Sequence, residues 1–136
     1  MIIEADIKKT LGEIAVQFSA GYPFLKLEFY NQPHSIHAVS SEKNLLPPNL
    51  TGKETGLKFQ PGTVEIHDFQ KTGDVEQLFK KNLGLNVQIF RRHGEDWIQT
   101  VGTDDLTLRE QNEIGQKASE EFLHGTNRWI EKEKFL

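Results

Sequence analysis

The chain has 136 residues, 36% of them hydrophobic and 26% charged, with a formal net charge of −4 and no cysteine. This length suits one domain with a real core, and nine Phe and two Trp supply the anchors that a disordered chain lacks. Disulfides, thiolate nucleophiles and cysteine-based metal sites are excluded, the acidic total makes nucleic acid an unlikely partner, and no apolar run is long enough to be a membrane span. The N-terminus from Met1 to Asp6 has neither the basic start nor the apolar stretch of a secretory leader, so the expected location is cytoplasmic.

Ile7, Leu11, Ile14, Ala15 and Phe18 fall at helical spacing, which predicts an amphipathic helix from about Asp6 to about Ser19, ended by Gly21 and Pro23. The next stretch alternates: Leu25, Leu27 and Phe29 point one way, while Phe24, Lys26, Glu28 and Tyr30 point the other, as in a strand with one wet face. Residues 31–62 lose all periodicity. Pro33, Pro47, Pro48 and Pro61 punctuate a long irregular connection in which Leu45, Leu46, Leu50, Leu57 and Phe59 are scattered anchors. Alternation returns at Thr63–Phe69, with Val64 and Ile66 inward and Glu65, His67 and Phe69 outward. A second helix then carries Val75, Leu78, Phe79 and Leu83, with Asp74 and Gln77 as a capping box and Gly84 as its stop.

The stretch from Asn86 to Gly115 is the most locally consistent. Placing Gly94 and Glu95 at the centre of a tight turn sets His93 opposite Asp96, Arg92 opposite Trp97 and Ile89 opposite Thr100. Leu85, Val87, Ile89, Ile98 and Thr100 then share an aliphatic face, and Gln88, Phe90, Arg92, Trp97, Gln99 and Val101 share its opposite. Thr107 and Glu110 form a capping box for a third helix with Ile114, Ala118 and Phe122 as its apolar stripe; Gly125 is expected to break it. Residues 124–136 read as a C-terminal helical tail, where Trp129, Ile130, Phe135 and Leu136 could dock or hold a partner.

The expected fold of this single domain is therefore α+β in two layers. An antiparallel sheet of about four strands carries the first two helices on one face, with the third either joining them or crossing the other face, in the order helix-strand-strand-helix-strand-strand-helix. Ile14 and Phe18 correspond to Val75 and Phe79, and Leu25 and Leu27 to Val87 and Ile89, a pattern that suggests internal duplication.

Chemical motifs are sparse. His34 and His37 are three apart in a Pro-flanked loop, with no third metal ligand to name, so neither a metal nor a cofactor is assigned. Asp104 and Asp105 sit where a helix start favours negative charge, which needs no catalysis. Charge is uneven: residues 71–93 carry five bases against two acids, and residues 94–136 carry ten acids against five bases, a contrast that fits first a helical tail with solvated charges and second a surface that steers a protein partner or drives self-association. Phe90, Arg92, Trp97, Gln99 and His67 are the candidate binding residues, because aromatics and arginine anchor interfaces. The expected function is a non-enzymatic protein-binding or assembly module; the alternative is a small metal-dependent or acid–base enzyme using His34, His37, His67, Asp104 or Asp105.

Overall fold

A computed structural model describes residues 1–34 and 38–134, with side chains up to Phe122. Eight elements make up the frame: β1 (Ile2–Ala5), α1 (Leu11–Gly21), β2 (Leu25–Tyr30), β3 (Gly62–Glu65), α2 (Thr72–Leu83), β4 (Asn86–His93), β5 (Asp96–Gln99) and α3 (Leu108–Lys134). The architecture is α+β with helices layered on antiparallel strands, as expected, but the strands form two sheets. β1 pairs with β3, and β2, β4 and β5 form a second sheet in that order.

The additional strand, β1, lies where periodicity pointed only to a helix start. Ile3 and Ala5 are buried, and Ile7 is 53% exposed instead of joining the helical stripe. The helix begins later because Thr10 caps it: its hydroxyl accepts the Glu13 N–H at 3.2 Å, and the Glu13 carboxylate accepts the Thr10 N–H at 3.1 Å. α2 also starts differently. Lys71 is its N-cap and supplies no side-chain bond, so the Asp74–Gln77 box does not form, whereas Gly84 ends the helix at φ 70° as anticipated. α3 opens on the expected Thr107–Glu110 box and continues through Gly125 to Lys134, so that glycine does not break it. The side chains of the tail, Trp129, Ile130, Phe135 and Leu136 included, lie outside the described residues.

Within the larger sheet, β4 and β5 pair as expected, with Arg92 opposite Trp97 and His93 opposite Asp96 around Gly94 at φ 62°. Leu25, Leu27, Phe29, Val87 and Ile89 form its buried face, joined in one core by Ile14 and Phe18 of α1 and by Val75, Phe79 and Leu83 of α2. α3 packs on this same side. Its Gln111 accepts a bond from Arg91 at 2.7 Å, and a Cβ at Gly115 would stand 2.9 Å from that of Phe24 and 3.2 Å from Arg91 Cγ, so only glycine lets the helix lie this close.

A repeated arrangement is visible in three dimensions, and its unit starts one strand earlier than the sequence suggested. β1-α1-β2 and β3-α2-β4 repeat one pattern, and equivalent strands pair with each other antiparallel, centred on Ile3↔Val64 and on Leu27↔Ile89. The helix starts match as well. Leu11 and Gly12 donate to the carbonyls of Leu50 and Pro48 at 2.8 and 2.9 Å; Thr72 and Gly73 donate to those of Leu106 and Asp104, both at 2.9 Å. Leu50-Thr51-Gly52-Lys53-Glu54 and Leu106-Thr107-Leu108-Arg109-Glu110 follow in register, each with its threonine N–H on the glutamate carboxylate. The copies diverge afterwards: the first continues as a short 3-10 helix, Lys53–Thr55, and the second as α3.

Leu27 and Ile89 occupy equivalent core positions. Leu27→Ala and Ile89→Ala should each lower unfolding free energy by about 2–5 kcal/mol, measurable by urea denaturation; a near-silent result for either would place its side chain outside the core.

Candidate functional site

Because all three helices take the Arg91 side of the sheet, the opposite side is left to side chains and to one loop. There the Lys26 ammonium stands 5.3 Å from the Phe90 ring and 5.0 Å from the Trp97 ring, while the Arg92 guanidinium stands 5.3 Å from Trp97. Both cations are thus stacked on one aromatic platform. Glu28 pairs with Lys26 at 3.0 Å and balances part of that charge. Phe90, Arg92, Trp97 and Gln99 are all half-buried.

The connection at residues 38–41 covers the other half of the face. Ser40 donates its hydroxyl to the Gln88 carboxamide oxygen at 3.0 Å; its N–H reaches the Gln99 carboxamide oxygen at 2.9 Å, and the Gln99 side-chain amide donates back to the Ser40 backbone carbonyl at 2.8 Å. Gln88 is consequently buried, and Gln99 clamps a loop instead of facing solvent. Val39 is left 70% exposed beside the clamp.

The other residues expected to face outward from their strands lie elsewhere. Phe24 backs onto Gly115 of α3, and Tyr30 is buried, with Leu45 bridged to it. His67 and Phe69 follow β3, in the other sheet, and stack on each other at 5.3 Å; Phe69 is 72% exposed there. The sheet face therefore unites Phe90, Arg92, Trp97 and Gln99, gains Lys26, and excludes His67.

A second cluster forms beside the half of β4 that β5 does not reach. The Ile89 N–H donates to the Glu76 carboxyl at 2.8 Å, and its carbonyl accepts from the N–H and hydroxyl of Thr100 at 3.2 and 2.9 Å. His34 donates through Nε2 to the Val87 carbonyl at 3.2 Å, which fixes the hydrogen on that nitrogen, and the same atom is 3.8 Å from the other Glu76 oxygen. Burial, opposed by the Ile89 N–H bond and aided by the nearby Asp104 carboxylate, pushes the Glu76 carboxyl from 4.5 up to about 8. Sequence reading missed Glu76. The available signal was its place between Thr72 and Phe79 on the inward stripe of α2, where an acid is out of character.

Asp104 is buried and Asp105 exposed, so they do not act as a pair. His37 lies outside the described residues. Among the described residues no group of three or more histidine, aspartate or glutamate side chains could hold a metal ion, and no helix is long and apolar enough to cross a membrane. The chain matches no protein family, no characterised protein and no solved structure.

Two outcomes follow from these contacts. Glu76 holds its proton in the folded chain and loses it in the unfolded one between pH 4.5 and about 8. Its contribution to stability is therefore fully present below the lower value and is lost as pH climbs through the upper one. Melts from about pH 5 to about pH 9 should fall steadily for the wild type and flatten for Glu76→Gln; equal slopes would refute the assignment. Gln99→Ala should release the loop, seen as faster amide exchange at Ser40.

Proposed function

We propose that the chain is a non-enzymatic protein-binding or assembly module whose working surface is the sheet face of Lys26, Phe90, Arg92, Trp97 and Gln99. The observation that supports this reading is the placement of two cations on a half-buried Phe–Trp platform, on the one side of the sheet from which the described helices are absent. Aromatic rings pre-stacked by basic groups lose little side-chain entropy on binding and suit the centre of an interface. Lys26 and Arg92 favour an acidic partner surface, which another protein or the acid-rich residues 94–136 of another copy would supply.

The acid–base alternative keeps one specific support, the buried Glu76 carboxyl beside His34. It has no nucleophile assigned to it. Purification without chelator followed by metal analysis addresses it directly, and a stoichiometric transition metal would favour it over the binding module.

The expected result for the module is that Arg92→Ala combined with Trp97→Ala leaves the far-ultraviolet spectrum unchanged and removes the interaction. Size-exclusion chromatography with light scattering reads self-association, and retention of a partner on immobilised wild type or variant reads binding to another protein. A wild-type monomer at high concentration, together with identical partner retention by both proteins, would overturn the proposal.

A further inference from the structure

The two copies within the chain treat the same backbone position in opposite ways. In the second copy the N–H and C=O of Ile89 point away from β2 and are met by Glu76 and Thr100. Leu27 lies directly opposite Ile89, so its own N–H and C=O point away from β4, toward the outer edge of β2. Its neighbours confirm the direction, since the Leu25 N–H donates outward to the Tyr22 carbonyl and the Phe29 carbonyl accepts outward from Leu46.

What stands opposite that edge differs. The position equivalent to Glu76 is Ala15, which has no polar group. The strand-like segment equivalent to β5 stops at Leu46, because Pro47 and Pro48 follow and neither has an N–H to give. Among the described residues no hydrogen bond reaches either backbone group of Leu27. A cavity of about 160 Å³ occupies the place, walled by Leu11, Gly12, Ala15, Leu45 and Pro48 and floored by Leu27.

We infer that this cavity is a binding site for a primary carboxamide on a short aliphatic stem, its oxygen accepting the Leu27 N–H and its nitrogen donating to the Leu27 carbonyl. The chain contains the interaction twice in intramolecular form. Glu76 and Thr100 supply the acceptor and donor for Ile89. On β1, the carboxamide of Gln17 alone does both, accepting the Glu4 N–H at 2.8 Å and donating to the Glu4 carbonyl at 2.7 Å. The volume corresponds to roughly five waters, enough for an amide the size of propionamide or isobutyramide. Lys26 and Glu28 line the rim as a closed ion pair, and the walls are apolar, so a neutral head group is preferred over a carboxylate, which would also leave the carbonyl without a donor. The same head group arrives either as a free amide or as the side chain of a glutamine on another protein. Lys26 is shared with the aromatic sheet face, but the inference rests on the Leu27 backbone groups and not on the function proposed for that face.

Titration of the ¹⁵N-labelled full chain with propionamide should shift the Leu27 amide resonance saturably, while propionate and propylamine should not. Ala15→Glu places in the first copy the carboxyl that the second already has, and Ala15→Leu fills the cavity with carbon alone; each should weaken the amide by at least about tenfold. A capped Gly-Gln-Gly peptide that competes with propionamide, where Gly-Glu-Gly does not, identifies a protein side chain as a source; competition by free amides alone identifies a small molecule. A Leu27 resonance unmoved by propionamide, moved equally by propionate, or moved undiminished in both Ala15 variants would overturn the inference.

Discussion

The pairing of Leu27 with Ile89 is the constraint on which the rest of the molecule depends. In an antiparallel ladder, residues facing each other without exchanging hydrogen bonds send their side chains to one face and their backbone groups outward. Here that places two branched aliphatic side chains at the centre of the core and forces two sets of backbone donors and acceptors toward opposite edges of the β2–β4 pair. Each edge must then be satisfied locally. The second copy does so with Glu76, Thr100 and β5; the first does so with Ser19, Tyr22 and Leu46 around a gap.

That necessity explains why an acid is kept inside α2. Leaving the Ile89 N–H without an acceptor would cost about 1–3 kcal/mol, and a carboxyl reaching from the helix meets it at the expense of its own ionisation. The protonated form is the cheaper one to bury, which makes a stabilising contact also a pH-dependent one. The same elements that expose the carboxyl to the edge of β4 bring His34 beside it, so the polar cluster is a product of the strand register and requires no catalytic purpose.

Much of the frame was legible in the chain. Strict alternation at Leu25–Phe29 and Val87–Ile89 gave the inward face, Gly94 set the hairpin register, and Thr107 with Glu110 located the start of α3, because in each case the local chemistry and the tertiary packing agree. Ile2–Ala5 was lost for a physical reason: a four-residue strand is too short to show a period, and the Ile7 side chain that extends the helical stripe is in fact turned to water. Residues separated by a long connection, such as Ser40 and Gln99, meet only in three dimensions. So do Phe69 and Trp97 part company, because membership of different sheets is invisible to side-chain alternation. The repeated arrangement had a clear mark at Leu50-Thr51 and Leu106-Thr107, but those residues sit in a loop in one unit and at a helix start in the other, and a comparison of helix and strand patterns passes over them.

The carboxamide of Gln17 on β1 has a consequence for the behaviour of this protein in a crowded solution. A two-stranded ribbon with a bare outer edge is a template for another chain, and successive additions of that kind lead to fibrous aggregates. β1 is only four residues long, and its outward backbone groups are those of Ile2 and Glu4; with both groups of Glu4 taken by Gln17, an incoming strand loses one of the two residues it could pair with. One side chain on a neighbouring helix thus acts, together with the charge of Glu4 itself, as a guard against self-templated growth.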